Sequence, residues 1–76
     1  MDKEFVILTI AENGLETAAA YFFAAAGKLQ HQADAEADPT KKALLLKTAA
    51  GKQKLAAALQ GADAGIKSYQ QAVNAA

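Results

Sequence analysis

Cysteine, arginine and tryptophan are absent from this 76-residue chain, and histidine, serine and proline occur once each, as His31, Ser68 and Pro39. Without cysteine there are no disulfides and no thiolate metal sites to staple a small fold. A single histidine is too few for a zinc centre of the usual kind. Without arginine the chain lacks the planar forks that phosphate and nucleic-acid sites favour, so nucleic acid is not an expected partner. The five glycines, Gly14, Gly27, Gly51, Gly61 and Gly65, are dispersed and form no phosphate-cradling loop. Long apolar runs are missing too. The longest uncharged stretch in the apolar part of the chain, residues 17–27, has eleven residues between Glu16 and Lys28, against about 20 for a bilayer span. Met1-Asp2-Lys3-Glu4 has no cationic leader region, so synthesis in the cytoplasm without a signal peptide is expected.

Alanine dominates what is present. Hydrophobic residues make up 53% of the chain, and most are alanine, the strongest helix former because it loses no side-chain entropy. The sequence therefore reads as all-α. Its one strong punctuation mark is Ala37-Asp38-Pro39-Thr40. Asp38 suits an N-cap, and Pro39 suits the first helical position, where its missing N–H costs nothing. Proline also pushes the preceding residue out of helical geometry. A single antiparallel two-helix hairpin domain over residues 1–76 follows, with helices at about 3–36 and 39–75 and a turn at Asp38-Pro39. Two alternatives stand beside it. The run Phe5-Val6-Ile7-Leu8-Thr9-Ile10 before Asn13-Gly14 has strand character, and a break near Gly61 with Asp63 as a new cap would make a three-helix bundle.

Heptads run through both halves. Leu8, Leu15, Phe22 and Leu29 recur every seven residues, with Ala11, Ala18 and Ala25 three residues after the first three. That is a coiled-coil seam with alanine at alternate positions. In the second half Leu45, Leu59, Ile66 and Val73 share a register, with Leu55 and Tyr69 complementary and a ridge of Gly51, Ala58, Gly65 and Ala72 alongside. Gly27 and Gly51 fall nearly level across such a hairpin, which suggests close backbone approach. The pattern resembles the antiparallel alanine-seamed helix pairs called Alacoils, a packing motif. Residues 64–73, Ala-Gly-Ile-Lys-Ser-Tyr-Gln-Gln-Ala-Val, resemble the second helix of a tetratricopeptide repeat. That resemblance implies an aromatic and an alanine packing on a neighbouring repeat, although the repeat's tryptophan, Leu-Gly pair and closing proline are missing. The layout around Asp38-Pro39-Thr40 is similar to the needle subunits of type III secretion systems, helical hairpins that stack into a filament. Their double proline is absent.

Charge divides at the turn. Residues 1–38 carry seven acids (Asp2, Glu4, Glu12, Glu16, Asp34, Glu36, Asp38) and two lysines, net −5; residues 39–76 carry six lysines (41, 42, 47, 52, 54, 67) and Asp63, net +5. Opposite halves attract within the chain and between copies, setting orientation more than stability. Glu12 and Glu16 share a helix face at i,i+4, but no Glu-x-x-His follows, so a solvated acidic face is expected and not a carboxylate metal site. His31 and Asp34 at i,i+3 read as a surface pair. The basic cluster of Lys41, Lys42, Lys47, Lys52 and Lys54 reads as solvated or paired with the acids of the first helix. No catalytic, cofactor-binding or metal site is expected, and no small-molecule substrate.

Apolar side chains exceed what two facing stripes can hide. Phe5, Val6, Ile7, Ile10, Tyr21, Phe23, Leu44 and Leu46 fall off or beside the seam and form the candidate interaction surface, each forgoing about 1.5–3 kcal/mol if left in water. A single core of this length supplies only about 3–5 kcal/mol. The sequence therefore implies a protein partner. The leading expectation is a non-enzymatic structural or assembly subunit, self-associating as a homo-oligomer or built into a phage or other particle or a filament. The alternative is a small adaptor or regulator that binds one partner helix.

Overall fold

The computed structural model describes residues 3–75. Met1 and Asp2, which enter the charge division and the leader reading, and Ala76 lie outside the described residues. Two helices account for nearly everything: α1 over Lys3–Ala35 and α2 over Pro39–Ala75, with 33 and 37 residues. They fold back on each other as an antiparallel hairpin measuring 57 × 17 × 12 Å. Residues 5–10 are helical, so strand propensity gives way to the helical register that Leu8 and Leu15 share. α2 runs unbroken through Gly61 and Asp63. One interior glycine costs about 1 kcal/mol, too little to interrupt a helix docked along its whole length.

The turn follows the local stereochemistry of its residues. The Glu36 N–H donates to the Ala33 carbonyl at 3.2 Å and closes α1. The Asp38 N–H donates to Glu36 Oε1 at 3.1 Å. Asp38 Oδ1 then accepts from the Thr40 N–H at 2.9 Å, and the Asp38 carbonyl accepts from the Lys42 N–H at 2.9 Å. Asp38 is thus the N-cap and Pro39 the first residue of α2.

The seam is alanine-lined, in a register one residue away from the expected one. Ala19, Ala26 and Ala33 on α1 and Ala49 and Ala56 on α2 are at most 2% exposed. They lie four residues after Leu15, Phe22, Leu29, Leu45 and Lys52, which are half-buried. Ala11, Ala18 and Ala25, three residues after Leu8, Leu15 and Phe22, are only half-buried. Moving the small position from three to four residues beyond the large one rotates the helix face by about 50°. The same rotation leaves Leu55 and Tyr69 exposed and turns the Gly51–Ala58–Gly65–Ala72 ridge to solvent. Gly27 and Gly51 make no close approach. A Cβ built at any of the five glycines meets nothing within 4 Å.

No large side chain among the described residues is fully buried. Five buried methyl groups contribute about 4 kcal/mol at about 0.8 kcal/mol each. The rest comes from half-covered leucines, Ile66 and Phe22. The accessible surface is 5436 Å², about 1,000 Å² more than a compact globule of 7.9 kDa exposes. The radius of gyration is 17.2 Å, against about 11 Å for a compact chain of this length.

Candidate interaction surface

Polar groups enter the seam where the alanine series runs out. Continuing the seven-residue spacing, Glu12 precedes Ala19 on α1, and Asp63 and Gln70 follow Ala56 on α2. Asp63 is buried, with 8% of its surface exposed. Its Oδ2 lies 2.8 Å from Lys67 Nζ, which also reaches across to Glu16 Oε1 at 2.7 Å. Hydrogen bonds to Asp63 and then Glu16 hold the Lys67 ammonium well above its usual value of 10.5. Glu12 Oε1, Asp63 Oδ1 and Gln70 Nε2 are buried without a hydrogen-bond partner. Glu12 therefore belongs to the seam and not to a solvated acidic face. No group of three or more His, Asp or Glu among the described residues is placed to hold a metal ion.

Lysine also takes a seam position. Lys52 occupies the step between Leu45 and Leu59, and its Nζ stands 5.6 Å from the centroid of the Phe22 ring. Tyr21 meets Phe22 edge-on at 5.2 Å. At the open end the Tyr69 hydroxyl donates to Glu4, beside a shallow cleft between Phe5, Leu8 and Val73. The remaining lysines of the basic cluster, Lys41, Lys42, Lys47 and Lys54, are exposed. Among the described residues, Lys67 makes ion pairs with Glu16 and Asp63. His31 and Asp34 are exposed near the turn.

With Glu12 and Glu16 on other faces, α1 shows solvent a side without charge between Lys3 and Lys28. Ile7, Ile10, Gly14, Thr17, Tyr21 and Ala24 recur at spacings of three and four residues, all exposed, with Val6, Ala20 and Gly27 beside them. They lie opposite Leu8, Leu15 and Phe22, so they point away from α2. Ile7 is 54% exposed, and Ile10 and Tyr21 are 67% exposed. This helix has one apolar side on its partner and another on water, whereas a surface helix ordinarily turns charges outward. The face of α2 that points away from α1 is different. There Leu44, Gly51, Ala58, Gly65 and Ala72 recur every seventh residue, flanked by Ala43, Ala50, Ala57 and Ala64, all exposed.

All eight residues read from the sequence as an interaction surface are exposed large hydrophobics, and Leu55, Tyr69 and Val73 join them. The structure divides the eight. Val6, Ile7, Ile10 and Tyr21 share the outer side of α1, Phe23 lies to one flank, and Leu44 and Leu46 are on α2. Phe5 caps the open end of the seam. No helix among the described residues is long and apolar enough to cross a membrane. No protein-family model, curated protein or solved structure matches the chain.

Proposed function

We propose that this chain is a non-enzymatic assembly subunit that packs into a larger multi-subunit object, a particle or a filament, through the apolar outer side of α1. One observation carries the reading: Ile7, Ile10 and Tyr21 stand more than half exposed on a helix side with no charge from Val6 to Gly27. A contiguous apolar surface of that kind marks an interaction site. Surplus surface and a core without a large buried side chain point the same way, since partner contacts supply what a short chain cannot.

Sedimentation of the purified protein tests the reading. The wild-type chain is expected to run as an assembly, and Ile7→Ser with Ile10→Ser to dissolve it while circular dichroism stays helical. A wild-type monomer would count against self-assembly and leave the adaptor reading, in which the cleft between Phe5, Leu8 and Val73 receives a partner's side chain. Unfolding by the serine pair would show that these residues belong to the hairpin itself.

A further inference from the structure

We propose that two copies of the hairpin pack broad side to broad side and end for end, as a four-helix bundle with its two-fold axis at Leu55. The inference rests on the assembly reading and names the partner. Two helices laid together have two broad sides, and here the two differ. The Tyr69–Glu4 hydrogen bond and the Lys52–Phe22 contact mark one side, and the Lys67–Glu16 pair marks the other. Steps of three, four and seven residues from these marks place the remaining side chains. The first side carries Ala18 and Leu55, with the half-buried Phe22, Leu29, Leu59 and Ile66 along its middle. Ile7 and Tyr21 border it on α1. The second side carries Gln30, Gln53 and Gln60 beside Glu16 and Lys67, with Phe23 and Leu46 set among them. The buried alanines lie under that polar side, so the large seam residues are left half-covered on the first side only.

Area and self-match point to a second copy. The side measures 57 × 17 Å, about 970 Å², so two copies bury about 1,900 Å² between them, within the roughly 1,200–2,000 Å² of stable pairs. Turning a copy end for end about Leu55 brings Leu44 level with Ile66 of the other. Ala18 stands at the height of Leu55 across the hairpin, so the same axis brings Ile7 of α1 level with Leu29. Gly14, Gly51 and Gly65, where a Cβ would meet nothing within the chain, come level with Phe22, Leu59 and Leu45 of the other copy. Bulk then falls beside gap, as interlocking helices require.

Charge sets the direction. Lys28, Lys41 and Lys52 lie on this side in the turn half of the molecule, and Glu4 lies on it in the open half. With the turns together, the lysines of both copies would crowd one end. End for end they separate, and Lys41 comes level with the Tyr69–Glu4 pair of the other copy. Lys52 is the one charge in the row of large seam residues, its ammonium 5.6 Å from the Phe22 ring centroid. A single charge at such a position fixes register at a cost in stability. The contact is isologous and closes as a pair, the unit from which a larger object is built.

The chain has no cysteine, so a single introduced thiol reports on the axis. Full-length Leu55→Cys is expected to cross-link under air into a covalent pair at low protein concentration, and Gln53→Cys, on the other broad side, to stay single. In sedimentation the wild type should run as the pair or its multiples, and Leu55→Glu as a monomer with wild-type helicity. Lys52→Leu should pair more tightly than the wild type, because no ammonium then leaves water. If Leu55→Glu assembles as the wild type does, this contact is overturned and the assembly reading survives. Should Leu55→Glu lose its helicity, the cysteine variants decide alone. If Leu55→Cys stays single while its mixture with Ala18→Cys cross-links, the turns lie together and the end-for-end arrangement is refuted. A monomeric wild type overturns both proposals, and its pelleting with phosphatidylserine vesicles would assign the side to lipid.

Discussion

The Lys67 ammonium lies 2.7 Å from the Glu16 carboxylate on the opposite helix. Asp63, on its own helix, holds the same ammonium at 2.8 Å. One cation therefore fastens the open half of the hairpin, where the seam has run out of alanine. Because Asp63 and Glu16 raise the folded-state value of Lys67 above 10.5, its contribution is complete below that pH, where folded and unfolded chains are both protonated. It fades as pH rises beyond 10.5 towards the folded value. The melting temperature of the wild type should exceed that of Lys67→Met at neutral pH, and the gap should close in strongly alkaline buffer. Comparing the two proteins cancels titrations they share. A gap that widened with pH would contradict the assignment.

Asp63 interrupts the buried series that Ala49 and Ala56 begin, and one of its oxygens has no partner. Replacing it with alanine continues the seam and removes an unpaired buried acceptor, while Lys67 keeps Glu16. Asp63→Ala also removes the stronger of the two hydrogen bonds that hold Lys67, so gain and loss should nearly cancel and monomer stability should change by less than about 1 kcal/mol. Thermal melts in a buffer that keeps the chain monomeric decide it.

Ala25 and Ala26 separate the two seam registers. Ala26 is fully buried and Ala25 only half so. Ala26→Leu should cost about 1–3 kcal/mol by overpacking, and Ala25→Leu should cost much less. Chemical denaturation of both variants reads the difference directly, and equal losses would place the seam between the two positions.

Gly61 stands in open space in the interior of α2 and has no positive φ. Gly61→Ala should stabilise the helix by about 0.8–1 kcal/mol. A loss of stability would reveal a contact at that position that the isolated hairpin does not make.

Asp38 accepts the Thr40 N–H at 2.9 Å. Asp38→Ala should lower stability by about 1 kcal/mol, and Asp38→Asn should restore most of it, since capping needs the oxygen and not the charge. Denaturation midpoints of the three proteins check this.

The turn was legible because proline and its neighbour have few conformations open to them, and the helices because alanine leaves little else to form. The seam register was harder to read. Glu12 breaks the series Ala19–Ala26–Ala33 on paper, which made Ala11–Ala18–Ala25 look like the continuous seam. Only packing shows that Glu12 can occupy a seam position. For the same reason Lys52, Asp63 and Gln70 look like surface residues in the sequence. The ridge of Gly51, Ala58, Gly65 and Ala72 was visible as a period, but a period does not say which neighbour it faces. The excess of large apolar side chains was legible by counting. Their division between two opposed sides of the hairpin was not, because it depends on the 50° rotation of the seam.

Pro39 bears on how the proposed assembly would form. To straighten into one continuous rod and exchange a helix with a neighbour, the chain would have to carry proline inside a helix, at about 3 kcal/mol or more. The bend is therefore a lock as well as a corner. In the proposed assembly each added unit would join as a finished hairpin and would leave with its own two arms still clasped.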